Sequence, residues 1–163
     1  MSDFKAVKKG VIAKSEKQGD RLNDRGNDLA NKAEIVDSMI QSLKVRDDFD
    51  KNQIERLKYD LKRDFEATHE KEVDSPLDSL KVDMKKNQAE IEDERKNTTG
   101  AISEIRKMQG VSDVGKDAER RAEKSMTESE KEYKGMEDRT EDIISSQEAA
   151  ARESARRIHS KFK

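Results

Sequence analysis

Apolar and small residues recur every three or four positions over most of this chain, which is the period of packed α-helices. The clearest series has small residues among its early members and large ones among its later members, so a neighbouring helix can approach closely at first and pack firmly later. Each of its members follows the last by three or four residues: Ile12, Ser15, Gly19, Leu22, Gly26, Leu29, Ala33, Val36, Ile40 and Leu43.

A capping signal marks the first helix boundary. Asp50 suits the N-cap of a new helix, and Gln53 three residues later can complete a capping box before the next apolar run. The sequence therefore predicts a first helix over about 3–45 and a second over about 50–73, with a corner between them.

Two further signals divide the rest of the chain. Ser75 and Pro76 suit the N-cap and first position of a third helix over about 76–109, although a proline here can instead kink one continuous helix. Gly110 suits a helix stop, and a last helix is predicted over about 113–161.

Composition supports an ordered helical chain over a disordered one. Charged residues make up 44% of the chain, but 35 Lys and Arg nearly balance 37 Asp and Glu, and there is a single Pro. Disorder is typical of high net charge or of abundant Pro and Gly. We therefore predict one all-α domain over 1–163, an elongated antiparallel bundle or coiled coil of three or four long helices.

Several protein classes are excluded by what the sequence lacks. With no Cys there is no disulfide framework and no thiolate metal site. No apolar run approaches the length of about 18 residues that a membrane span needs, and the first residues show no signal-peptide pattern. We expect a cytoplasmic protein, and export without a leader stays an alternative.

The segment from Gly110 to Asp117 matches most of a phosphate-binding loop, GxxxxGK. Such a loop follows a β-strand, whereas the residues before Gly110 have a helical pattern. Asp117 stands where the loop needs a hydroxyl for magnesium, and its charge would repel phosphate. We therefore expect a connection between helices and no nucleotide cofactor.

Glu66 and His69 have a spacing that places a carboxylate and an imidazole on one helix face, as in di-iron bundles. A second such motif cannot be built, because the only other histidine, His159, follows Arg156 at that spacing. We expect His69 to be a solvated surface residue. No catalytic, metal-binding or cofactor-binding residue is predicted, and we expect the chain not to be an enzyme.

The last helix is the predicted partner-facing element, because its seam contains several polar residues that give weak packing within one chain. Its apolar members are the proposed contacts, and three arginines would steer an acidic partner. The alternative is that this helix packs against the other helices of its own chain. The proposed contact residues are Met126, Tyr133, Met136, Ile143 and Ile158, with Arg152, Arg156 and Arg157 for steering.

These features favour a non-enzymatic helical interaction module or assembly subunit that binds partner helices or further copies of itself. An alternative is a leaderless secreted protein or the delivery partner of one. A third class is a peripheral membrane or nucleic-acid binder. We expect neither of these two contacts, because the chain is net acidic with formal charge −2 and only 4% aromatic.

Overall fold

The computed structural model describes residues 2–46, 48–108 and 113–162, and over them it confirms the all-α class. Helix α1 covers Ser2–Lys44 and α2 covers Lys51–His69. A π-helical segment, Glu70–Asp74, joins α2 to α3, which covers Ser75–Met108. Helix α4 covers Asp113–Lys161. The predicted stop at Gly110 lies outside the described residues.

The corner between α1 and α2 is fixed by the predicted capping box. Asp50 has an extended backbone, and its side chain accepts a hydrogen bond from the backbone N–H of Asn52 at 3.1 Å. The backbone N–H of Asp50 donates to the Gln53 side chain, also at 3.1 Å. These bonds satisfy backbone groups that a helix end leaves unpaired, which is why α2 begins here without Gly or Pro.

The predicted N-cap at Ser75 is wrong. Ser75 has a helical backbone, and its N–H donates to the carbonyl of Glu70, five residues earlier. Pro76 has no N–H and its ring crowds the carbonyl four residues before it, so a wider π turn accommodates it where a normal turn would break. α2, the π segment and α3 thus form one continuous helical run, the alternative that the sequence had left open.

The chain divides into two compact units, and each is described separately. Unit 1 contains residues 1–14 and 82–142, and unit 2 contains residues 15–81 and 143–163. The core of unit 1 is formed by Ile12, Met84, Ile91, Tyr133 and Met136. Inside this unit Lys8 is only 7% exposed, and its ammonium pairs with Glu90 and Asn87 on α3.

Three helical stretches pack together in unit 2. α1 and α4 run parallel, since Gly19 lies against Gln147 and Gly26 lies against Ser154. The α2–π–α3 run is antiparallel to α1, because the chain turns back between Lys44 and Lys51 and Arg25 then pairs with Glu72 at 2.5 Å. The core holds Leu29, Ala30, Ala33, Ile40, Ile54, Val73, Leu77, Leu80, Ile143, Ile144, Ala151 and Ile158.

Candidate functional site

His69 lies in a polar layer inside unit 2 and not on the surface, so its predicted solvation is wrong. Its side chain is 2% exposed. Its Nδ1 lies 3.1 Å from Asp74 Oδ2, and its Nε2 lies 2.7 Å from Ser154 Oγ. α1 closes over this layer at Gly26, where an added Cβ would stand 2.7 Å from Ser154 Oγ. Because both of its nitrogens have partners, the imidazole is buried without an unpaired polar atom.

This layer has the hydrogen-bond order of a serine hydrolase, Ser to His to Asp. Acyl transfer also needs an accessible hydroxyl and N–H donors aimed at the substrate oxygen. Ser154 is 2% exposed, its Oγ lies 3.1 Å from the Ala151 carbonyl, and the backbone around it is helical. A substrate carbonyl cannot reach Ser154, and the arrangement acts as a structural layer.

A second polar layer lies two helical turns away. Gln147 is 7% exposed, and its Nε2 donates to Asp20 Oδ1 at 3.4 Å. The space for its side chain exists only because Gly19 has none, since a Cβ there would lie 2.7 Å from the amide. Small residues of α1 are therefore matched to polar residues of α4, which fixes the register of the two helices.

A cleft of about 290 Å³ opens beside the His69 layer. His159 Nδ1 lies 3.3 Å from Glu66 Oε1 at its rim. Among the described side chains, no group of three or more His, Cys, Asp or Glu is arranged to hold a metal ion. The cleft therefore shows no metal-binding geometry. Its lining residues are Glu66, His69, Glu70, Asp74, Ala155, Ile158 and His159.

The apolar residues of α4 that the sequence offered as partner contacts are covered by the chain's own helices. Tyr133 and Ile158 are fully buried, Met136 is 5% exposed and Ile143 is 8% exposed. Met126 is half-buried. The alternative, intramolecular packing of α4, is thus the arrangement observed. Contact between these residues and a partner stays a prediction, and it requires α4 to leave its place.

The three arginines near the end of α4 have different surroundings. Arg152 and Arg156 are exposed and pair with glutamates on α4 itself. Arg157 reaches α1, where it donates to Glu34 at 2.8 Å and to Asn31 at 2.7 Å. The Arg157 guanidinium holds the pKa of Glu34 below its ordinary value. Arg157 therefore anchors the end of α4, while the other two stay available to solvent.

Unit 1 buries polar atoms that are less well paired. The Tyr133 ring packs edge-on against Phe4 at 6.4 Å, and its hydroxyl has no hydrogen-bond partner among the described residues. One carboxylate oxygen of Glu137 is likewise buried without a hydrogen-bond partner among the described residues. Burial, followed by a hydrogen bond with Glu92, raises the pKa of Glu137. An unpaired buried polar atom costs about 1–3 kcal/mol, so these groups weaken unit 1.

Exposed apolar side chains are concentrated where α1 and α2 meet. Among the described residues, six of the eight large apolar side chains that are exposed lie between positions 35 and 59. Ile35 is 57% exposed and Met39 is 62% exposed, and they are one turn apart on the same side of α1. Leu57 of α2 is 38% exposed.

The Arg25–Glu72 pair shows which side of α1 these residues occupy. Steps of seven from Arg25 lead along one side of α1 to Lys32 and Met39. The opposing series runs from Glu72 to Asp64 and Leu57, with one step of eight because the π segment adds a residue. We call the surface formed by Lys32, Ile35, Met39, Leu57 and Asp64 the hairpin flank.

The centre of the hairpin flank faces away from α4. Ser154 and Arg157 of α4 contact α1 at Gly26 and Glu34, whose positions lie on the other side of that helix from Met39. The apolar centre of the flank is thus open in unit 2, with Lys32 and Asp64 beside it. Sequence reasoning missed this surface, although residues 35–43 hold one charged residue, Asp37.

No protein-family model, curated protein or solved structure matches this chain. No helix among the described residues is long and apolar enough to cross a membrane. The geometry described above is therefore the basis for a functional proposal.

Proposed function

We propose that this chain is a non-enzymatic helical interaction module and that the hairpin flank is its partner-binding surface. The observation that carries the proposal is the exposure of Ile35 and Met39, at 57% and 62%, on a helix whose opposite side is already packed. Ile40, next to Met39, is 1% exposed in the core of unit 2. A helix with apolar residues on two sides is typical of helices that pack against neighbours on both sides.

The surrounding sequence makes this exposure unusual. The chain as a whole is 44% charged, and residues 35–43 hold one charge in nine positions. Contiguous exposed apolar surface with a polar rim is typical of protein–protein interaction sites. The flank has this form, with Met39 and Leu57 at its centre and Lys32 and Asp64 beside them.

A partner helix suits this surface better than an extended peptide or a small ligand. The flank lies between two neighbouring helices, and the apolar face of a third helix can lie in the groove between them. The charged residues Lys32 and Asp64 would favour one register and disfavour partners whose charges repel them. This is an interaction role without a chemical step.

Site-specific photo-crosslinking in native cells tests the proposal. We expect p-benzoylphenylalanine at position 39 to give a discrete, higher-mass product whose second component is identified by mass spectrometry. The matched control is position 82, because Val82 is 68% exposed and lies outside the flank.

Equal capture at positions 39 and 82, or no product at either, contradicts the proposal. The captured protein also tests the alternative role in export, since a component or substrate of a secretion apparatus would favour that role.

A further inference from the structure

We propose that Glu92 and Glu137 form a pH-controlled latch between α3 and α4 of unit 1, closed while their carboxyl groups share a proton and weakened once both are ionised. The proposal goes beyond the proposed function and does not depend on it, because the hairpin flank belongs to unit 2. Its consequence is that α4 covers Tyr133 and Met136 less firmly at neutral pH than at mildly acidic pH.

The two glutamates lie where α3 and α4 touch. Gln88 of α3 donates through Nε2 to the backbone carbonyl of Glu137 on α4 and to Glu141 Oε2, each at 3.3 Å. Glu92 is one helical turn further along α3, and its carboxyl group is hydrogen-bonded to that of Glu137. Two carboxylates have no hydrogen to donate to each other, so this bond requires a proton on one of them.

Arg95 decides which of the two glutamates keeps the proton. Its Nη2 lies 2.6 Å from each carboxylate oxygen of Glu92, and these bonds hold the pKa of Glu92 below its ordinary value. Glu137 Oε1 is buried without a hydrogen-bond partner among the described residues. Burial first, and then the hydrogen bond and the charge of Glu92, raise the pKa of Glu137. Glu137 is therefore the proton donor of the pair, and Glu92 is its charged acceptor. Glu130 of α4 also attracts Arg95.

The cations of α3 lie against Glu92. Arg95 contacts both of its oxygens, and the exposed Lys96 lies 3.9 Å from one of them. Arg95 opposes the rise in the pKa of Glu137, whereas Asp138 of α4 adds to it. When Glu137 ionises, two carboxylates share the charge of Arg95, and the contact between α3 and α4 gains a repulsion that the protonated pair does not have.

The ion pairs that α1 makes in unit 1 act in a different pH range. Lys5 and Lys8 of α1 pair with Glu132 and Glu90 and hold the pKa of each glutamate below its ordinary 4.5. These pairs lose their contribution as pH falls below 4.5. Both histidines of the chain belong to unit 2. An effect of pH on unit 1 above 4.5 therefore points to Glu137.

The direction of the pH effect follows from the raised pKa of Glu137. In the open form Glu137 titrates at its ordinary 4.5, and in the closed form it titrates at higher pH. The closed form is therefore favoured at low pH, and it loses stability as pH rises from 4.5 through the folded pKa. Over that interval the equilibrium constant for opening rises by up to about tenfold per pH unit, and above it the effect levels off.

Oxidation of Met136 by hydrogen peroxide measures this opening. Met136 is 5% exposed next to Glu137, so its thioether reacts when α4 leaves its place. Met39 is 62% exposed and is oxidised in the same sample, which corrects for the reactivity of the reagent at each pH. We expect the ratio of the Met136 rate to the Met39 rate, measured by peptide mass spectrometry, to rise between about pH 4.5 and about pH 7.5.

Glu137→Gln tests the latch directly, because the amide has the shape of the protonated acid and no charge. This variant should keep the low oxidation ratio of acidic pH at every pH. Asp138→Asn is the matched control, since it removes one charge from the neighbouring exposed position and should leave most of the pH dependence. Circular dichroism at the same pH values shows whether each variant keeps its helices.

Glu92→Gln separates the latch from simple burial of Glu137. It removes the negative charge that faces Glu137 and frees Arg95 to pair with it, so the pH dependence should be reduced. Burial of Glu137 alone would leave that dependence unchanged in Glu92→Gln.

A wild-type oxidation ratio that does not change with pH, or a pH dependence that persists in Glu137→Gln, overturns the proposal. An unchanged pH dependence in Glu92→Gln also contradicts it, because the effect would then arise without the pair. Loss of the pH dependence in Asp138→Asn would assign the effect to the general charge of α4 and would count against the latch as well.

Discussion

At Gly26, α1 presents no side chain, and Ser154 and His69 of the neighbouring helices fill the space beside it. Around Met39, the same helix carries large apolar side chains that are more than half exposed. In the first region each group finds its complement inside the chain, as His69 and Ser154 do. In the second region the apolar side chains of Ile35 and Met39 have no covering element within the described chain and stay 57% and 62% exposed. The difference shows that the first region sets the register of the bundle, and it is the basis of our proposal that the second binds a partner.

The largest expected difference in the free energy of unfolding is between variants of two adjacent residues of the second region, Ile40 and Met39. Ile40→Ala should lower the free energy of unfolding by about 2–5 kcal/mol, because Ile40 is fully enclosed by its own chain. Met39→Ala should change it by about 0.5 kcal/mol or less in dilute solution. Urea unfolding of both variants measures the difference, and equal losses would show that Met39 is part of the core.

The polar layer gives the next effect. Ser154→Ala leaves the buried Nε2 of His69 without its partner, which should cost about 1–3 kcal/mol. Ser160→Ala is the control, because Ser160 is exposed on the same helix. If both variants unfold at the same urea concentration, the His69–Ser154 bond contributes nothing to the fold.

Two glycines of α1 should respond with opposite sign to the same change. Gly10→Ala should stabilise the chain by about 0.5–1 kcal/mol, because alanine favours the helix and nothing lies within 4 Å of the new methyl. Gly26→Ala should destabilise it, because the methyl would stand 2.7 Å from Ser154 Oγ and force the layer apart. The melting temperature of each variant measures the direction of its effect. A higher melting temperature for Gly26→Ala would mean that the His69–Ser154 layer is loosely packed.

The smallest effect concerns the anchor between Arg157 and Glu34. Arg157 lowers the folded pKa of Glu34 from its ordinary 4.5, so this pair stabilises the fold above that value. The contribution is lost as pH falls through the lower folded pKa. Glu34→Gln should therefore remove a small part of the acid sensitivity below about pH 4.5 in unfolding curves. An unchanged acid profile would show that the pair is fully screened by solvent.

Spacing in the sequence was sufficient for the class of fold and for most of the α1 seam. Of the ten seam residues, Leu22, Val36 and Leu43 are half-buried and the other seven are buried. The Asp50 capping box was also predicted correctly. These features depend on local chemistry and on a regular period, which a sequence displays directly.

The π segment and the buried histidine depend on pairing between distant residues. Leu61, Phe65, His69, Val73 and Leu77 follow one another in steps of four, which drift around a regular α-helix. A π turn corrects this drift and keeps His69 and Val73 in the core. The signal was present, but the partner of His69, Ser154, is 85 residues away.

The hairpin flank could not be predicted from spacing alone, because apolar residues spaced by three or four positions mark only one buried side of each helix. Ile35 and Met39 lie outside that seam. Their exposure is apparent only from the structure, in which α4 contacts α1 at Gly26 and Glu34 and leaves Ile35 and Met39 uncovered.

The most direct test of the central claim, that the hairpin flank is an association surface, is methyl NMR of the full chain with labelled methionines. Met39 is exposed on the flank, whereas Met84 and Met136 are 2% and 5% exposed and serve as internal controls. When the protein captured by crosslinking at position 39 is added, we predict that the Met39 methyl signal shifts while the Met84 and Met136 signals stay in place. A Met39 signal that does not move when this partner is in excess, or one that moves together with both buried methionines, would contradict the account.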